Sequence, residues 1–108
     1  MVAERSFNPQ VMRGDEAVSI WLPEFEVYGE AFSYADAKQD LLKEVRVYVQ
    51  EYLANADDYR RAPNRSGHFP HVVKALIAEA RGQLERVIFP GPPDLETLRA
   101  QVADDTSA

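Results

Sequence analysis

A chain of 108 residues, 45% hydrophobic and 28% charged, has the make-up of one ordinary globular domain with a single modest core. The absence of cysteine excludes disulfides and thiolate metal sites and fits a reducing compartment. A net charge of −6 excludes phosphate-backbone binding through the general field and suits a basic protein partner.

The acid sits at the two ends. Residues 1–32 hold six acidic and two basic side chains, and residues 90–108 hold four and one. The opening MVAERSFNPQ contains no apolar run of signal-peptide length, and nothing downstream approaches a membrane span, so a cytoplasmic chain with no membrane association is expected.

In chain order, Phe7 to Met12 suits an extended run that Pro9 confines to a sheet edge. Gly14-Asp15-Glu16 is a turn. From Ala17 the pattern alternates, with Val18, Ile20 and Leu22 on one side and Ser19 and Trp21 on the other. Trp21 either packs under the first strand or stands as an interface anchor. Pro23 interrupts the run. Alternation then resumes, with Phe25, Val27, Gly29 and Ala31 on one face and Glu24, Glu26, Tyr28 and Glu30 on the other. This predicts a half-buried strand with an acidic outer face.

Ser33-x-x-Asp36 is a capping signal for a helix running from about Tyr34 to about Asn55. Ala37, Leu41, Val45, Tyr48 and Tyr52, flanked by Leu42, Val49 and Leu53, make its core stripe, and Lys38 is assigned to the wet side. Residues 56–69 are turn-rich. Pro70 suits the first turn of a second helix, which Val73, Leu76, Ile77, Ala80, Leu84, Val87 and Ile88 carry to Phe89, with Gly82 weakening it. Pro90-Gly91-Pro92-Pro93 stops that helix. A short helical segment follows, with Leu95, Leu98 and Val102 on one face, and residues 103–108 are expected to be disordered.

The predicted class is α+β: a small antiparallel sheet of two to three strands packed on one long helix, then a second helix and a short helical tail. Residues 1–58 form the ββα unit and residues 59–108 a helical extension with a flexible end, one domain overall.

Catalytic signatures are weak. There is no Gly-rich phosphate loop, nucleophile elbow or zinc spacing. His68 and His71 lack a third ligand in their motif, so loop packing is expected there and no metal. Glu24, Glu26 and Glu30 lie on a face expected to be wet, where nothing desolvates a carboxylate for acid–base work. Arg60, Arg61 and Arg65, with Tyr59, are either a solvated loop offsetting Asp57 and Asp58 or a local contact for nucleic acid or an acidic partner.

Residues 17–53 resemble the HicB-like ββα unit of antitoxins from bacterial type II toxin–antitoxin modules. The matching features are Pro23-Glu24-Phe25, Val27-Tyr28-Gly29 and a helix opened by Ser33 and running to Leu53. Arg60-Arg61-Ala62-Pro63-Asn64 and Phe69-Pro70-His71-Val72 resemble the tail of RelB/Phd-type antitoxins. The resemblance implies a non-enzymatic protein, without cofactor, that neutralises a cognate small toxin, expected to be a basic ribonuclease. Its toxin-binding residues would be Glu24, Glu26, Glu30, Arg60, Arg61, Phe69, Leu95 and Leu98. A homodimer is a further option. The other function class is a non-catalytic homo-oligomerisation or scaffold subunit of a larger assembly. The antitoxin DNA-binding segment has no counterpart here: the first 16 residues are too short and residues 70–102 lack a basic recognition face. DNA binding is therefore not expected of this chain alone.

Overall fold

The computed structural model describes residues 7–90. Leu95, Leu98 and the expected tail helix lie outside those residues. The elements are β1 (Gln10–Arg13), β2 (Val18–Leu22), β3 (Val27–Ala31), α1 (Tyr34–Ala54), α2 (Ala56–Tyr59), a 3₁₀ turn (Ser66–His68), α3 (Phe69–Ala80) and α4 (Leu84–Ile88). The strands form an antiparallel meander in the order β1-β2-β3. An α+β fold with a three-stranded sheet packed on one long helix is what the alternation and the helical stripe predict.

Strand β2 is central and behaves as its pattern demands: Val18, Ile20 and Leu22 are buried while Ser19 and Trp21 are half-exposed. The β1–β2 turn is closed by Gly14 N–H donating to Ala17 O at 2.8 Å. The β2–β3 connection departs from expectation. Strand β3 begins only at Val27, and Pro23–Glu26 is a turn, with Phe25 N–H donating to Leu22 O at 3.3 Å and Glu26 at φ 56°. Alternation runs on through the turn because Phe25, 2% exposed, is drawn into the core. A left-handed φ at a non-glycine costs about 1–2 kcal/mol, so the packing of Phe25 holds Glu26 in that conformation.

Helix α1 starts where the cap predicts: Ser33 Oγ accepts from Asp36 N–H at 3.2 Å. It lies over β3 and β2. Gly29 makes that closeness feasible. A Cβ there would lie 2.6 Å from Ala37 O and 2.7 Å from Leu41 Cα, so helix backbone rests directly on strand backbone. Ala37, Leu41, Leu42, Val45, Tyr48, Val49 and Tyr52 are buried, and Leu53, assigned to the flank of the stripe, is 44% exposed.

Lys38 corrects its wet assignment. It is 4% exposed, with Nζ 3.5 Å from Glu85 Oε2 and 5.3 Å from the ring centroids of both Tyr34 and Phe89. The buried ammonium is tolerated because a carboxylate and two π faces replace water. The contact ties α4 to the first turns of α1, helped by Gln39 Nε2 donating to Glu85 Oε1 at 3.0 Å.

The expected single helix from Pro70 to Phe89 is two. Gly82 does not merely weaken it. At φ 66° Gly82 ends α3 in a Schellman arrangement, with its N–H donating to Glu79 O at 3.0 Å and Gln83 N–H to Ala78 O at 2.7 Å. The chain turns, and α4 returns Leu84 and Ile88 to the core.

Candidate functional site

The core that positions the surface is aromatic at one end. Phe25 packs against Phe7 (5.5 Å) and Tyr48 (5.1 Å), and Tyr52 against Tyr59 (5.3 Å) and Phe69 (6.2 Å). His68 stands in this cluster. Its Nδ1 meets the Tyr48 hydroxyl at 2.5 Å, and its Nε2 lies 3.7 Å from Glu26 Oε2. Burial lowers the His68 pKa below the ordinary 6.5, with Arg65 and His71 adding to the effect and Glu26 opposing it. The neutral ring then accepts from Tyr48 at Nδ1 and presents Nε2–H towards Glu26. Burial raises the Tyr48 hydroxyl, against the pull of Arg65. Such an arrangement cross-braces the turn of Glu26 to α1 and the start of α3. His71 packs on Phe7 at 5.0 Å. Among the described residues, no group of three or more His, Asp or Glu side chains could hold a metal ion.

The three glutamates expected on one acidic strand face are not brought together. Glu24 belongs to the turn and accepts from Asn8, its N–H at 2.8 Å and its Nδ2 at 3.3 Å. Glu26 and Glu30 do meet, across an open hollow of about 540 Å³ beside β3 and α1. Val27, Tyr28, Asp40 and Glu44 complete its lining. Among the described residues, four carboxylates and no basic side chain line the hollow, beside the exposed Tyr28 ring. Asp40 and Glu44 are contributions from the helix that strand reasoning missed. Their spacing of four residues, which sets two like charges on one helix face, is the available signal. Asp40 is anchored by accepting from Glu30 N–H at 2.9 Å.

Arg60 and Arg61 are exposed and Arg65 is half-buried. Arg60 lies over the Phe69 ring at 4.5 Å, and Arg65 over Tyr59 at 4.4 Å and Tyr48 at 5.6 Å. Both lie against aromatic faces, Arg60 while still exposed. Phe69 is half-buried between Arg60 and Tyr52.

The face of α3 is turned outward. The apolar stripe of Val73, Leu76, Ile77 and Ala80 that marks the helix in the sequence points to solvent, with Val73 38%, Leu76 42% and Ile77 47% exposed. The small residues Ala75 and Ala78, with Val72, are what α3 buries. Small residues bring α3 close to α1, and Arg46 Nε bridges the two helices by donating to both Glu79 carboxylate oxygens at 3.0 Å. Beside the stripe a cleft of about 90 Å³ opens between Val45 and Val49 of α1, Ala75 and Leu76 of α3, and Leu84. Leaving three large aliphatic side chains nearly half in water forgoes on the order of a few kcal/mol of burial. Phe32, just before α1, is 91% exposed.

Three comparisons bear on what this surface serves. No curated protein matches the chain. A solved structure, the antitoxin part of a candidate toxin/antitoxin system from Syntrophomonas wolfei subsp. wolfei, superposes with a TM-score of 0.70 at 20% identity, over 80% of this chain and 62% of that one. At that identity the likeness is one of fold, and the chain spans less than two thirds of that protein. A sequence model described as PHD-like, antitoxin of toxin–antitoxin, RelE/RelB, matches residues 1–89. The match takes in the sheet, α1, the arginine loop, α3 and α4, and the chain belongs to the PHD-like family of antitoxins from toxin–antitoxin systems.

Proposed function

We propose that this chain acts as a non-catalytic antitoxin that binds and neutralises a cognate small, basic toxin in the cytoplasm, with a ribonuclease as the expected activity of that toxin. The observation that carries the reading is the inverted face of α3. Val73, Leu76 and Ile77 stand 38–47% exposed while Ala75 and Ala78 are buried beneath them. A partner that covers the stripe recovers that burial. The acidic hollow of Glu26, Glu30, Asp40 and Glu44 supplies the complementary charge.

The two surfaces divide the work. Aliphatic anchors in a desolvated patch govern dissociation, and rim charges govern encounter. Surface kinetics with the product of the adjacent gene tests the reading. Replacing Glu26, Glu30 and Glu44 together with Gln should slow association and flatten its salt dependence, because exposed charges are screened over about 8–10 Å. Leu76→Ala should speed dissociation instead. Absence of any binding by the folded protein would end the proposal. The alternative class, a homo-oligomerisation subunit, is favoured by the edge strand β1, whose four residues are all exposed.

A further inference from the structure

Helix α3 carries an apolar stripe that the described residues leave uncovered: Val73, Leu76, Ile77 and Ala80 are all exposed. Lys74 and Arg81 lie on one flank of it, about two turns apart. On the other flank opens the cleft between Leu76, Ala75 and Leu84.

The path of the chain leads back to this face. Helix α3 runs antiparallel to α1: its first residue, Phe69, stacks on Tyr52, and its last turn meets Arg46 through Glu79. After the turn at Gly82, α4 carries the chain on to the first turns of α1. There Glu85 meets Lys38, and Phe89 meets the rings and charge of Tyr34 and Lys38. Pro90-Gly91-Pro92-Pro93 follows, and then Leu95, Leu98 and Val102 at helical spacing. A chain that reverses at that break runs back alongside α3, antiparallel to it. Along α1, Lys38 lies about 12 Å from Arg46. Pro90 to Asp94 can span about 17 Å, enough to bring Leu95 level with Glu79 and Ala80.

We propose that residues 94–102 fold back on the outward face of α3 in the free protein and cap its stripe until a toxin displaces them. The docking stands on the course of α3 and α4; only the displacement rests on the antitoxin reading. The two stripes match in length, since Val73 to Ala80 and Leu95 to Val102 each cover about 10 Å of helix. In the antiparallel direction Leu95 falls beside Ala80, Leu98 beside Ile77 and Leu76, and Val102 beside Val73. The charges match too. Residues 66–89 carry three basic and two acidic side chains, and residues 90–108 one basic and four acidic. Asp94 and Glu96 come to Arg81, and Asp104 and Asp105 to Lys74, so opposite potentials face each other. Three spaced apolar residues are too few to hold a helix alone, and α3 supplies the missing partner. A short tether sets an effective concentration in the millimolar range, so a weak contact suffices and a toxin can still compete with it.

The chain has no cysteine, so disulfide trapping in the full chain reads the contact directly. In dilute solution Ile77→Cys/Leu98→Cys and Ala80→Cys/Leu95→Cys should close internally about tenfold or more faster than Tyr28→Cys/Leu98→Cys, whose Tyr28 is exposed on the sheet. A control that closes as fast overturns the proposal. So does a disulfide-linked dimer in place of the internal bond, because a second copy would then cover the stripe. Methyl NMR of the full chain gives a readout without cysteine. Leu95→Asp/Leu98→Asp should move the Leu76 and Ile77 methyl resonances and leave those of Ile20, fully buried under α1, in place. Unmoved Leu76 and Ile77 resonances overturn the docking. Binding of the adjacent gene's product should suppress closure of the Ile77/Leu98 pair, and closure that persists in the complex overturns the displacement. A product that does not bind counts against the antitoxin reading and leaves the docking to the two toxin-free measurements.

Discussion

Gly29→Ala is the sharpest test of how the sheet and α1 fit together. The added methyl would stand 2.6 Å from Ala37 O and 2.7 Å from Leu41 Cα, and closer still to Leu41 N, where ordinary contact begins at 3.4 Å. The obstacles are backbone atoms of the central helix, so no side chain can swing aside. Relief requires α1 to lift from β3 by about 1 Å, and a gap of that size forfeits a quarter to a half of each contact's attraction. The residues on that seam include Ala37, Leu41 and Val45, each fully buried. Overpacking of a sound core costs about 1–3 kcal/mol, and a clash against helix backbone belongs at or beyond the top of that range. For a domain near 100 residues, 3 kcal/mol lowers the Tm by roughly 12–24 °C. Thermal melting by circular dichroism, with urea unfolding as a second measure, reads it. An alanine variant melting within a few degrees of the parent would refute the backbone-on-backbone seam.

Gly82→Ala should be milder: nothing lies within 4 Å of its Cβ, so only the left-handed φ of 66° is penalised, by roughly 1 kcal/mol in urea unfolding. A larger loss would mean that the α3–α4 turn is packed and not open. The His68 pKa is lowered by folding, so the unfolded chain takes up the proton first, and stability should fall as pH drops below about 6.5 until the folded ring is protonated too. His68→Gln should remove that slope between pH 7 and 5, and a slope unchanged in the variant would assign the titration to other groups.

The local rules of the sheet and of α1 were legible because each rests on neighbours in sequence. Alternation in β2, the Ser33 cap and the Pro70 start all appear in the structure where the pattern puts them. The failures share one physical cause, long-range packing that overrides a local pattern. Phe25 kept the alternation going through a turn because the core needed its ring. Lys38 looked solvent-facing because Glu85 and Phe89, far along the chain, supply its cover. On α3 two stripes compete, Val72-Ala75-Ala78 and Val73-Leu76-Ile77. Size favours the second, but close approach to α1 selects the first. The acidic site was half legible: Glu26 and Glu30 were expected, but the contribution of Asp40 and Glu44 depends on α1 lying beside β3. Leu95 and Leu98 remain a proposal for the partner-binding tail.

A growth assay decides most directly whether the outward face of α3 neutralises a toxin. Growth should be measured in cells expressing the product of the adjacent gene, alone, with this chain, and with the Leu76→Lys/Ile77→Lys double variant. Both substituted positions are solvent-facing, 42% and 47% exposed, so the variant should keep its fold and its melt. The account predicts arrest by the neighbouring product alone, rescue by the wild type, and no rescue by the folded double variant. Full rescue by the folded double variant would contradict the assignment of α3 as the anchor, and an adjacent product that neither arrests growth nor binds the chain would contradict its pairing with a toxin.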